Sequence, residues 1–251
     1  MDEFANVYED ADRASAYARL EFPGTYFLAY RDLSGLLGDG RGRWALDFGC
    51  GAGRSTRFLE SYEFDTIGVD ISAAMLDRAR ATDPSGDYRL VGDGDLSALG
   101  DSAFDIVLAA FTFDNIAGDK RREAILRGLA GRLRPRGAIV LIVSSPEIYR
   151  NEWASFTTAA FPENATAESG DIVRIVMTDV DDPRPIEDIV TTDDDYRRLF
   201  ARVGLRVDRV LRPLGLDNEP FEWRSETTIA PWTLYRLELL ADRDRSRLPW
   251  G

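Results

Sequence analysis

The sequence predicts an α/β fold: a doubly wound, Rossmann-like, seven-stranded and mostly parallel sheet with helices on both faces, an N-terminal helical cap and a β-hairpin insertion after strand five. Three observations carry that prediction. Short apolar strands alternate with helical segments from Trp44 to Ser144, the pattern that builds βαβ units and a parallel sheet. The first strand runs into the glycine-rich turn Gly49-Cys50-Gly51-Ala52-Gly53, which places a ligand at the carboxyl ends of the strands. Two further apolar stretches near the C-terminus are joined by a loop with no helix between them, so they form an antiparallel pair at one sheet edge.

The elements follow in order along one domain of 251 residues. Residues 1–40 form the helical cap, with helices at about 5–20 and 24–37 broken by Pro23-Gly24. The core, residues 41–145, has strands at 44–48, 66–69, 88–91, 104–109 and 137–144. Its helices fall at 55–62, from the cap Ser72 to about 81, and at 121–133, with an Arg-Pro-Arg-Gly turn before strand five. Residues 146–191 are an insertion whose β-rich stretches 171–180 and 186–191 flank a proline-rich turn and read as a hairpin across the mouth of the site. Residues 192–240 open on the capping-box spacing Thr192 to Asp195 and continue into the strands 205–211 and 227–239; residues 241–251 are a tail. The cap and the insertion are both expected to act as lids.

Composition narrows the function classes. A net charge of −13, from 44 Asp plus Glu against 31 Lys plus Arg, repels nucleic acid from most faces. No apolar run approaches a membrane span, and the opening Met1-Asp2-Glu3 has neither a basic flank nor an apolar run, so no membrane partner and a cytoplasmic location are expected. With no histidine and the single cysteine Cys50, the chain offers neither an internal disulfide nor a Cys/His metal cage, and Cys50 reads as packing.

Four motifs in sequence order carry the chemistry. Asp47 ends the first strand before Gly49, Gly51 and Gly53, whose spacing departs from a dinucleotide fingerprint because the next place is Arg54. Asp70 ends the second strand in Ile67-Gly68-Val69-Asp70-Ile71-Ser72. Val91-Gly92-Asp93-Gly94-Asp95 follows the third, and the fourth strand leads into Ala110-Phe111-Thr112-Phe113-Asp114-Asn115. Over roughly residues 40 to 145 this set resembles the class I S-adenosylmethionine-dependent methyltransferases of small-molecule type.

The resemblance implies S-adenosylmethionine as cofactor and S-adenosylhomocysteine as product. It implies that Asp47 and the glycine turn hold the methionine part, that Asp70 takes the ribose hydroxyls, and that Asp93, Gly94 and Asp95 lie at the adenine. Ile71, Met75 and Phe111 complete the cofactor contacts, and Asn115 stands at the reaction mouth.

Methyl transfer from a sulfonium is an in-line displacement that mainly needs alignment and exclusion of water, and no metal. Without histidine, a base for an N- or O-nucleophile would be a carboxylate, a tyrosine or solvent. Asp114, Glu147 and Glu222 are the candidates, each with a solvated surface carboxylate as its alternative reading. Tyr26, Tyr30, Trp153 and Trp223 offer aromatic faces to a small neutral or cationic acceptor of bacterial specialised metabolism, although most of the chain's aromatics should only pack. A nicotinamide or flavin oxidoreductase on the same sheet, and a non-catalytic cofactor-binding protein, are the competing readings.

Overall fold

The computed structural model describes residues 23–180, 182 and 184–240; the helix expected at about 5–20 and the tail 241–251 lie outside the described residues. Two short helices come first, α1 (Thr25–Arg31) and α2 (Ser34–Leu37), where the sequence suggested a single helix. The core then runs β1 (Trp44–Phe48), α3 (Arg54–Ser61), β2 (Asp65–Asp70), α4 (Ala73–Thr82), β3 (Asp87–Leu90), β4 (Phe104–Ala110), α5 (Asp119–Ala130) and β5 (Leu133–Ser144). An insertion carries β6 (Phe156–Thr157), β7 (Ile172–Met177) and β8 (Ile186–Ile189), and the chain closes with α6 (Asp193–Val203), β9 (Leu205–Leu211) and β10 (Trp232–Leu239).

Seven strands form the main sheet in the order β3-β2-β1-β4-β5-β10-β9. β1 is parallel to β2 and to β4, and β10 runs antiparallel between β5 and β9. Strand order reverses between β2 and β4 on either side of β1, so a crevice opens above the carboxyl end of β1. The alternation of side chains along β1, β4 and β5 feeds two separate cores. Ala45, Ile106, Leu108, Val140 and Ile142 face α1, α2 and the insertion, whereas Leu46, Val107, Ala109, Ile139 and Leu141 face α5 and α6.

Local chemistry fixes the helix starts. The Ser72 hydroxyl accepts from the Met75 amide at 3.3 Å at the head of α4. Thr192 and Asp195 form the reciprocal capping box of α6, and the αL residue Gly204 ends it. The Arg-Pro-Arg-Gly segment is not a turn before β5 but a bulge inside it: Phe104 pairs with Leu133 and Ile106 with Ala138, and Arg136 takes φ 68°. Asp105 anchors the bulge by accepting from Arg134 at 2.8 Å and from the Trp44 amide at 2.9 Å. The insertion hairpin gains a third strand, because β6 pairs with β7 as an edge the sequence did not announce. A two-residue strand leaves no periodicity to read. Among the described residues, no helix is long and apolar enough to cross a membrane.

Candidate active site

The carboxyl ends of β1, β2 and β4 surround a cleft of roughly 230 Å³. Its floor is the turn after β1, in which Gly49, Gly51 and Gly53 take φ of 75°, 54° and 80°. Side chains rarely adopt such angles, and space forbids them as well. A Cβ on Gly49 would stand 2.4 Å from the Thr112 hydroxyl, and one on Gly53 would stand 2.5 Å from the Tyr88 oxygen. Gly49 and Gly51 line the cleft; Gly53 instead packs against β3 and ends the turn at the head of α3.

Asp70 lines the cleft at the end of β2. Its two oxygens accept from the Gly51 amide and from the Ser72 amide, both at 2.8 Å, so it shapes the turn as well as facing the cleft. Burial raises its pKa, and those amides pull it back down. Asp47 lies beneath the turn. It is fully buried, and one oxygen accepts from the hydroxyls of Ser55 and Thr56 at 2.7 Å each, while the other has no partner among the described residues. Burial raises its pKa to about 6 against the pull of those hydroxyls. Ile71, Met75, Asp93 and Gly94 also line the cleft, and Asp93 pairs with Arg121 at 2.6 Å. Asp95 does not: it caps the following turn by accepting from the Ser97 amide at 2.8 Å.

The opposite wall is aromatic. Tyr26, Tyr30 and Phe111 line it together with Asn115. Phe111 sits at φ 60°, an uncommon backbone for a bulky residue, and is held there by edge contacts to Tyr26 at 5.3 Å and to Trp232 at 4.7 Å. Behind Tyr26 stand Phe156 of β6 and Met177 of β7, whose sulfur accepts from the Tyr26 hydroxyl at 3.7 Å.

Besides Asp47, Gly53 and Asp95, five further sequence candidates fall outside the cleft. Trp153 is fully buried, with its indole N–H on the Ile148 carbonyl at 2.7 Å. Trp223 packs on Phe221 at 4.8 Å and donates to the Leu216 carbonyl. Glu147 and Glu222 are exposed to solvent away from the cleft. Asp114 is buried and turned inward, accepting from the Ser144 amide and hydroxyl at 2.9 Å each and from the Tyr196 hydroxyl at 3.3 Å. Sequence position beside a mouth segment does not set which way a side chain points, and apolar surroundings claimed both tryptophans.

Several residues that sequence reasoning passed over do reach the site. Arg54 lines the cleft beneath Tyr26 and Tyr30, and Thr112, Ile116, Arg121 and Ile125 complete its walls. The one available signal for Arg54 was its place immediately after the glycine turn. Cys50 also lines the cleft, with its thiol pushed well up by burial.

Residues 46–141 match the methyltransferase domain family. N-demethylindolmycin N-methyltransferase of Streptomyces griseus is 28% identical over 200 residues, which cover 78% of this chain and 83% of that protein. The chain is a class I S-adenosylmethionine-dependent methyltransferase. The cypemycin N-terminal methyltransferase of a Streptomyces species is 32% identical over 123 residues, 48% of this methyltransferase and 50% of the relative. Among solved structures, the CcbJ methyltransferase of Streptomyces caelestis superposes with a TM-score of 0.61 at 18% identity, covering 91% of this chain and 96% of its own. The glycopeptide N-methyltransferase MtfA, complexed with S-adenosylmethionine, superposes with a TM-score of 0.61 at 14% identity, covering 87% and 94%.

The residues present fit S-adenosylmethionine, the cofactor of this methyltransferase. The glycine turn leaves a backbone cradle at the cleft floor, with a Cβ on Gly51 reaching within 3.2 Å of the Met75 methyl. The unpartnered oxygen of Asp47 directly below is a buried acceptor suited to an ammonium. Among the described residues, no group of His, Cys, Asp and Glu could hold a metal ion.

Proposed function

We propose that this methyltransferase transfers the methyl group to the nitrogen of a small, amine-bearing acceptor in specialised metabolism. The carrying observation is the division of the cleft. Both lining carboxylates, Asp70 and Asp93, lie at the ends of β2 and β3, while the wall from α1 and the end of β4 presents Tyr26, Tyr30, Phe111 and Asn115 and, among the described residues, no carboxylate. An amine brings its own lone pair once unprotonated; a phenol or alcohol needs a base to remove its proton. The two N-methyltransferases named above, for demethylindolmycin and for glycopeptides, support the same choice.

In this reading the backbone of Gly49 and Gly51 takes the methionine part, Asp70 the ribose hydroxyls, and Asp93 with Gly94 the adenine. Ile71 and Met75 pack along the nucleoside. Bound there, S-adenosylmethionine supplies an electrophilic methyl on a sulfonium that departs neutral. Phe111 and Asn115 position the acceptor, and Tyr26 closes the wall with the insertion's Phe156 and Met177 behind it. The residues therefore align and dehydrate the reactants.

The test is a set of matched aromatic secondary amines and phenols offered with methyl-labelled S-adenosylmethionine. Label should enter amines only, at rates that follow the unprotonated amine fraction as pH is varied. Phenols labelled at comparable rates would overturn the nitrogen assignment.

A further inference from the structure

Residues 111–116, which carry the cleft-lining Phe111, Asn115 and Ile116, turn one side chain the other way: Asp114 is buried behind the wall. There it meets a second buried carboxyl, Asp188 of β8, through two hydroxyls. Tyr149 donates to Asp188 at 3.1 Å and has Ser144 as a further hydrogen-bonding neighbour, and Ser144 donates to Asp114 at 2.9 Å. Opposite Asp188 on β7 stands Val173. Among the described residues, the titratable or charged side chains that face the pair are Tyr149, Tyr196 of α6 and Arg122 of α5. Arg122 spans the same boundary: its Nε donates to the Ile116 carbonyl at 2.6 Å, and a terminal nitrogen donates at 2.7 Å to the hydroxyl of Thr191, just beyond β8.

Two carboxyls and one guanidinium in a buried site carry one negative charge too many unless one carboxyl keeps its proton. The hydrogen bonds say which. Asp114 accepts from the Ser144 amide, the Ser144 hydroxyl and Tyr196, and lies in the field of Arg122, all of which favour its anion. Asp188 accepts from Tyr149 alone among the described residues and is subject to the charge of Asp114, so it is the acid that stays protonated.

Resting on the reading above that Phe111 and Asn115 face the acceptor, we infer that Asp114 and Asp188 act as one acid pair that shares a proton and clamps residues 111–116 to the insertion. Asp188 is then a positioning residue for Phe111 and Asn115. With its proton in place, a single negative charge lies between the two segments, balanced by Arg122. Loss of that proton sets two like charges side by side, and the segments part to hydrate them. The closed clamp holds the proton up to about pH 7, whereas a hydrated carboxyl releases it near pH 4. Opening therefore becomes easier as pH rises across that range and levels off above it.

Amide exchange of the protein without cofactor, corrected for intrinsic exchange chemistry, tests this at pH 5, 7 and 8 in wild type, Asp188→Asn and Tyr149→Phe. In wild type, residues 111–116 should be less protected than β1 and should lose up to about 100-fold in protection from pH 5 to 7, tenfold for each pH unit, then level off. Asp188→Asn has no proton to lose and should hold within about twofold. Comparison at equal pH cancels the titration of Asp47 at about 6 beneath the glycine turn. Tyr149→Phe keeps both acids but removes the bond that favours ionised Asp188, so its fall should continue above pH 7. A wild type insensitive to pH, or an offset from Asp188→Asn that is the same at every pH, overturns the inference, since Asp188 would then only pack. Protection of 111–116 equal to that of β1 overturns it too, because the mouth would open only when the whole fold does. Exchange needs no acceptor, so phenols labelled in the earlier test would overturn the nitrogen assignment and leave this comparison to decide the clamp.

Discussion

Asp70 combines two tasks that no neutral side chain performs together: it accepts from the amides of Gly51 and Ser72, and it presents a carboxylate to the cleft. Asp70→Ala should weaken S-adenosylhomocysteine by about 1.5–3 kcal/mol through lost charge-assisted bonds, as read by calorimetry. Unchanged affinity would move the ribose contact elsewhere. Asp188 is a different case, since it faces the interior. Burial, then the charge of Asp114, push its pKa to about 7 against the hydrogen bond from Tyr149 at 3.1 Å. From about pH 4, where the unfolded carboxyl ionises, to about pH 7, the folded chain keeps a proton that the unfolded chain has released, so stability falls as pH rises. Asp188→Asn removes this dependence. Its advantage in Tm over wild type should therefore be larger at pH 8 than at pH 5, and a gap that shrinks with rising pH refutes the buried-acid account.

At the scale of elements, α6 shows how much a terminus contributes. Thr192 and Asp195 satisfy each other's backbone amides, and hydrogen bonds from Ser169, Thr192 and Arg198 overcome desolvation to hold the Asp195 carboxyl at about 2. The stability it lends is present above about pH 4 and is lost as pH falls toward 2. Thr192→Ala should cost about 1 kcal/mol in denaturant unfolding at pH 7, with little change in cofactor affinity, because α6 contributes nothing to the cleft lining. A large loss of affinity would instead tie this helix to the site. The capping box was readable from spacing alone, as was Ser72 at the head of α4. The β5 bulge was not: Arg-Pro-Arg-Gly reads as a turn, and only pairing with β4 on both sides of it makes the segment part of a strand.

Across the whole molecule, the insertion and α1 share one interface. Thr25 donates through its hydroxyl to the fully buried Glu226 at 2.6 Å, and the Ala154 amide donates to the same oxygen at 2.7 Å. That carboxylate pins the first helix, the insertion and the β9–β10 loop together behind the aromatic wall. Binding of S-adenosylhomocysteine should therefore slow amide exchange in α1 and in β6–β7 along with the glycine turn, because Tyr26 connects them. Equal exchange of α1 and β6–β7 with and without ligand would count against their closing over the acceptor.

The sequence by itself determined the sheet and the place of its ligand cleft, and its resemblance to the class I methyltransferases implied the cofactor. Strand ends are marked by acids and glycines at fixed distances, and alternating apolar residues can bury both faces of a parallel sheet in few ways. Tertiary structure alone decided which polar and aromatic side chains face the cleft. Asp114, Trp153 and Trp223 are acidic or aromatic like residues that line the cleft, but the packing of β5, α6, the insertion and the β9–β10 loop turns them elsewhere. Arg54 shows the converse, since only its place after the glycine turn sets it apart from the exposed arginines until Tyr26 and Tyr30 fold over it from α1. Periodicity reports which residues are buried; where a side chain points within that burial depends on contacts between segments distant in sequence, and local spacing holds no record of those.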